Sequence, residues 1–160
     1  MNFRPIATVL LLALAACSNS NDDTTSGSSG SSGRAGACAS DNRKDVYTAG
    51  LTKQSASSTL SVKIMDATPA PPTKGTNVMT FQVVDAAGKG VTGATVTVTP
   101  FMPDHGHGSA VVPIVKDDGD GKYTVEKIYL AMAGLWTLTV KVEMPGQAPQ
   151  EVSFAFCLDG

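Results

Sequence analysis

From Thr59 onward the apolar residues fall on every second position, and this alternation restricts the chain to strands with one buried face. Leu60, Val62 and Ile64 alternate with Ser61, Lys63 and Met65, and Met79, Phe81 and Val83 with Thr80 and Gln82. Ala94, Val96 and Val98 alternate with Thr95, Thr97 and Thr99. The same pattern runs through Trp136, Leu138, Val140 and Val142, and again through Val152, Phe154 and Phe156. Two shorter runs, Ala110–Val115 and Lys122–Ile128, are also rich in β-branched residues, which favour strands.

Turn formers stand where these runs stop. Pro69, Pro71 and Pro72 end the first run, Ala87-Gly-Lys-Gly90 separates the second from the third, and Met144-Pro-Gly146 precedes the last. Asp117-Asp-Gly-Asp-Gly121 is a hairpin signal, because Asp-Gly suits the positive φ of tight turns. About seven short strands at this spacing predict an all-β fold, an antiparallel sandwich of immunoglobulin-like kind. Within residues 38–58, Val46, Tyr47 and Leu51 are expected to pack on the sandwich, in a short turn of helix.

The N-terminus follows a different rule. Arg4 precedes an apolar run, Ile6–Ala16, that is shorter than the ~20 residues a bilayer span needs. A charged start, a short apolar stretch and small residues at its end predict a secretory signal peptide over residues 1–16. Leu14-Ala-Ala-Cys17 resembles the lipobox of bacterial lipoproteins, which implies cleavage before Cys17 and lipid on its thiol. The alternative is a plain signal peptide with an incidental cysteine. Residues 17–37 read as the lipidated cysteine and a Ser/Gly-rich tether with almost nothing to bury, spanning roughly 25 Å as a flexible coil. A membrane partner through the lipid follows, since two or more acyl chains anchor stably. Ser18 after the cysteine, by resemblance to enteric-type sorting, favours the outer membrane, with the domain in the periplasm or at the cell surface.

Residues 38–160 are then one domain of ordinary size. The net charge of −2, with no basic patch, argues against nucleic acid as a partner. Of three cysteines, lipid consumes Cys17, and an exported compartment permits the other two to pair. A Cys38–Cys157 bridge is expected, closing a loop for which chain entropy gives ~4–5 kcal/mol. Two free thiols, or one thiolate on a metal, are the alternatives.

The strand pattern is interrupted by Thr99-Pro-Phe-Met-Pro-Asp-His-Gly-His-Gly108, which holds the only two histidines of the chain. Met102, His105 and His107 lie close together, and the glycines let the backbone bend so that the imidazoles converge. Imidazole with thioether suits copper, and Met favours Cu(I). Here the sequence resembles a known family. Met102-Pro103 followed by Gly106-His107 is similar to the Met-Pro-x-Met-Gly-His motif of YtkA-like domains, which are related to FixH-like proteins. Gly93-Ala94-x-Val96, Gly121 with Tyr123, and Met132-x-Gly134-x-Trp136 continue the match over roughly Leu60 to Val142. The resemblance implies an immunoglobulin-like sandwich in the cell envelope; some relatives are linked to copper handling or oxidase assembly. The chain departs from the motif at His105, where Met is usual, which makes the ligand set less soft and brings Cu(II) or zinc forward.

The metal ligands expected are therefore Met102, His105, His107 and Met132, with copper, or zinc, as the ion. The competing reading has Met102 capping the core edge, Met132 beneath Trp136, and solvated histidines. Calcium is disfavoured at the acidic turn: counted from Asp118, Lys122 and Tyr129 stand where an EF-hand loop needs oxygen ligands. No catalytic residues are expected, since no nucleophile elbow and no phosphate loop occurs, and Asp104 beside His105 is the sole acid–base pairing in view. The sequence thus reads as a noncatalytic envelope lipoprotein that binds copper or zinc. The alternative is an interaction module for another envelope protein, without metal.

Overall fold

The computed structural model describes Cys38 and residues 40–160. The signal peptide, Cys17 and the tether lie outside the described residues. Nine strands follow one another: β1 (Thr52–Gln54), β2 (Leu60–Thr68), β3 (Gly75–Asp85), β4 (Thr95–Met102), β5 (His107–Gly108), β6 (Ile114–Gly119), β7 (Lys122–Leu130), β8 (Gly134–Glu143) and β9 (Gln150–Leu158). They form two antiparallel sheets, ordered β1-β2-β3-β7-β6 and β5-β4-β8-β9. The sheets pack face to face, as the alternation requires. Leu60, Val62 and Ile64 of one and Leu138, Val140 and Val142 of the other are buried in a common core. Phe81 meets Phe154 across it, with ring centroids 6.0 Å apart.

Seven of the nine strands answer to the expected runs. The two others, β1 and β5, are edge strands of three and two residues, too short to show a period. Ala110–Val115 is displaced: the strand begins at Ile114, after Pro113, which has no N–H to offer a ladder. The acidic hairpin forms as expected. Gly119 pairs with Lys122, and Asp120 and Gly121 between them have φ of 52° and 71°, a two-residue turn of the primed kind.

Bulges explain where the period slips. In β7, Tyr123 and Val125 point inward, but so do Ile128 and Leu130. The extra residue lies at Glu126–Lys127, where Asn77 and Met79 of β3 oppose Ile128 and Val125 and Lys127 takes a φ of 58°.

The segment before β1 corrects an expectation. Among the described residues there is no helix; residues 40–51 run as turns and extended chain. Tyr47 and Leu51 pack on the core, but Val46 is 77% exposed. Three ties hold this segment. Cys38 is disulfide-bonded to Cys157, 119 residues away. Asp45 caps the free edge of β9: its N–H donates to Ala155 O, and its Oδ2 accepts from Ala155 N–H, both at 2.7 Å. Lys53 Nζ bridges Asp45 Oδ2 and Ser153 O at 2.7 and 3.1 Å. An exposed strand edge is a template for unwanted pairing, and these side chains occupy this one.

Candidate metal site at the β4–β5 hairpin

The end of β4 carries the residues singled out in the sequence. Met102 pairs with His107, and the four residues between them turn the chain. Met102 O accepts from the N–H groups of His105 and Gly106 at 3.2 and 2.9 Å, which fixes the loop. Directly opposed residues of antiparallel strands project on the same side, so His107 stands beside the Met102 side chain. The register carries this row across the sheet. Phe101 pairs with Thr137, which puts Met102 beside Trp136, and Trp136 pairs with Phe156. Tyr47 closes the row, edge-on to Phe156 at 6.1 Å.

The row grades from dry to wet. Met102 and Trp136 are fully buried, while His105 and His107 are exposed. The methyl end of Met102 abuts Gly134, where a Cβ would lie 2.8 Å from Met102 Cε; with φ at 123°, this position takes only glycine without strain. Trp136 Nε1–H donates to Met132 O at 2.9 Å, so the indole nitrogen is satisfied and the turn holding Met132 is fixed to it. Met132 itself is 38% exposed. Its expected place beneath Trp136 is thus a backbone contact at the indole N–H.

The two imidazoles come together. Their centroids are 5.7 Å apart with planes at 86°, and His107 lies edge-on to Trp136 at 6.3 Å. His107 Nδ1 is 3.1 Å from Gly108 O. A carbonyl only accepts, so Nδ1 is the donor in that hydrogen bond. Metal-ligating histidines are commonly oriented by such a bond. A metal about 2.0 Å from each ring nitrogen holds two imidazoles with centroids at most ~6.4 Å apart, and the observed separation lies within that limit. Among the described residues, no three His, Cys, Asp or Glu side chains are grouped to hold a metal. Any site here is two imidazoles with thioether at the flank.

Sequence reasoning missed one member of this region. Arg43 reaches the hairpin from the segment before β1. Its Nη1 and Nη2 donate to Asp104 Oδ1 and Oδ2 at 2.6 and 2.7 Å, and its Nε and Nη2 to Asp41 Oδ1 and Oδ2 at 3.0 and 2.7 Å. These bonds hold both carboxyls below the usual aspartate range and push the guanidinium pKa up. Asp104, read from sequence as a partner for His105, is engaged elsewhere. The local Asp-x-Arg spacing at 41–43 was visible; nothing near it in the chain points to residue 104.

The sequence profile of the YtkA-like family matches residues 54–141, more than half of the chain and all of β2 to β7. The chain belongs to the YtkA-like family. No curated protein matches it. Among solved structures, the YtkA-like chain is similar to a DUF4426 family protein of Pseudomonas aeruginosa PAO1, at 18% identity and a TM-score of 0.48, over 67% of this chain and 94% of that one. It is also similar to FetP of uropathogenic Escherichia coli strain F11, at 16% identity and a TM-score of 0.46. The likeness to its copper-bound variant covers 69% of this chain and 95% of that one, and the likeness to the as-isolated protein, recombinantly expressed in the periplasm, 69% and 94%. Likenesses this distant bear on neither the site of the YtkA-like domain nor its ligands.

Proposed function

We propose that this chain is a noncatalytic, membrane-anchored envelope protein whose YtkA-like sandwich binds copper, in the cuprous state, at the β4–β5 hairpin. His105 and His107 are the principal ligands, with Met102 and Met132 as thioether neighbours. The observation that carries this reading is the imidazole pair at 5.7 Å, set over a buried Met102–Trp136 row. Zinc in proteins takes four ligands in a tetrahedron, and two imidazoles with flanking sulfur are a poor match for it. Cuprous ion suits soft, neutral donors and accepts such a set. When bound, the ion supplies a soft Lewis-acid and one-electron centre. The chain's own part is to orient His107 through Gly108 O and to back it with the Trp136 edge.

The Cys38–Cys157 bridge supports an exported, oxidising location. It fits the reading of Cys17 as the lipidated anchor, with the outer membrane favoured. A second reading, docking of an envelope protein, is favoured by the exposure of Val112 (81%) on the connection between β5 and β6.

The test is a Cu(I) competition titration of the protein with a chromophoric chelator, under ascorbate so that the disulfide survives. Affinity tighter than micromolar is expected, and its loss in the double variant His105→Ala, His107→Ala. Absence of such binding, or binding that survives the double substitution, overturns the reading. A pull-down from envelope extract that depends on Val112 and not on the histidines would support the second.

A further inference from the structure

Asp104 is the one carboxylate of the hairpin loop, and it directly precedes His105. Were its oxygens free, Asp104, His105 and His107 would supply two imidazoles and a carboxylate within four residues. Such a set suits zinc and other divalent ions far better than Cu(I). The structure shows both Asp104 oxygens taken by a planar guanidinium fork 61 residues away in sequence. The fork is itself held: Arg43 Nε and Nη2 are bonded to Asp41, and Arg43 N–H donates to Asp41 Oδ1 at 2.9 Å. Bidentate guanidinium–carboxylate pairs are geometrically specific and stronger than single hydrogen bonds.

From this geometry we propose that Arg43 determines metal preference: by occupying Asp104 it keeps the hairpin's carboxylate out of the ligand set, so that the site offers soft, neutral donors and selects Cu(I) over Zn(II). The inference rests on the copper reading above. Its mechanism is ligand occupancy rather than repulsion, because Asp41, Arg43 and Asp104 together sum to one negative charge and do not repel cations. It also bears on His105, whose replacement of the family's usual Met makes the set harder. Arg43 acts in the opposite sense, by withholding the still harder oxygen donor.

The experiment measures Zn(II) and Cu(I) dissociation constants of the full chain by chelator competition, for wild type, Arg43→Gln, Asp104→Asn and the double variant. Arg43→Gln is expected to tighten Zn(II) binding by roughly tenfold, with Cu(I) affinity changed by no more than about twofold. The gain should vanish in the double variant, because the carboxylate that provides it is gone. Arg43→Lys keeps the charge without the planar fork, and a smaller gain in the same direction is expected; it also serves if Arg43→Gln does not fold, as judged by circular dichroism. Wild type that binds Cu(I) while Arg43→Gln and Arg43→Lys leave the Zn(II)-to-Cu(I) ratio unchanged overturns this inference alone. So does a gain that persists without Asp104. Wild type that binds no Cu(I) overturns the function proposed above instead.

Discussion

Two hairpins of this sandwich, β6–β7 and β4–β5, carry aspartates and use them in opposite ways. In the β6–β7 hairpin the carboxylates serve the turn itself. Asp117 Oδ1 accepts from Gly119 N–H at 2.8 Å, and Asp118 Oδ2 from the Thr124 hydroxyl at 2.6 Å. In the β4–β5 hairpin the turn is closed by the backbone at Met102 O, and Asp104 bonds to a distant arginine instead. The carboxylates of the first hairpin thus act within it, although Gly121 O also accepts from Val83 N–H at 2.7 Å. The second is a junction, fastened below to the core by Met102 and sideways to the N-terminal segment by Arg43, and its exposed imidazoles make no hydrogen bond beyond that of His107 with the neighbouring Gly108 O among the described residues. That difference separates an acidic turn with a local explanation from a loop whose imidazoles remain exposed.

The comparison can be broken at several points. The largest effect is expected at the disulfide, which holds the segment that carries Arg43. Replacing Cys38 and Cys157 by Ser should lower unfolding free energy by about 4 kcal/mol. Amide exchange should then quicken at His105 and Gly106 and stay unchanged in the β6–β7 turn. Equal acceleration in both hairpins would show that the second is no more dependent on the N-terminal segment than the first. Next comes Met102. Truncation to Ala should cost about 3 kcal/mol in urea denaturation, whereas Leu, similar in volume, should cost under about 1.5 kcal/mol. If Met102→Leu keeps the stability but loses Cu(I) affinity, the thioether is a ligand; if it keeps both, the residue serves only as the hairpin's root.

Asp118→Ala removes one exposed hydrogen bond in the β6–β7 hairpin and should cost about 1 kcal/mol or less, with no effect on metal affinity. The smallest effect is the pH dependence of the junction. Arg43 holds Asp41 and Asp104 below the usual aspartate range, so their contribution is present at neutral and mildly acidic pH. It is lost only as the pH falls through those lowered values. The difference in thermal midpoint between wild type and Asp104→Asn should therefore be small at pH 7, persist at mildly acidic pH and close in more strongly acidic solution. A difference that closes above the usual aspartate range would mean that the Arg43 pairing is not populated in solution.

What could be read in advance follows from range. Strands β2, β3, β4, β8 and β9 announced themselves because a half-buried strand writes its burial into every second residue. The Asp120–Gly121 turn was legible because backbone φ selects residue type locally. The Cys38–Cys157 bridge followed from a count of cysteines in an oxidising compartment. Strands β1 and β5 have too few residues to show any period. Residues 40–51 are held by single long-range contacts, such as Asp45 with Ala155, that impose no pattern on their neighbours. For the site, the ligand types were legible, and so was the bend at the glycines that lets the imidazoles approach; the surroundings of the pair were not. His105 and His107 stood out by composition, but the burial of Met102, and the arginine that holds Asp104, come from pairings dozens of residues apart.

The disulfide has a mechanical consequence as well. It joins a residue ahead of the first strand to one within the last, 119 positions further on, and closes the chain between them into a covalent loop. A pull applied before Cys38 and resisted after Cys157 travels through two sulfur atoms and bypasses every strand between them, including all but the end of β9. The sandwich, with the hairpin at its end, then lies outside the line of force, so tension along the chain leaves the distance between His105 and His107 untouched.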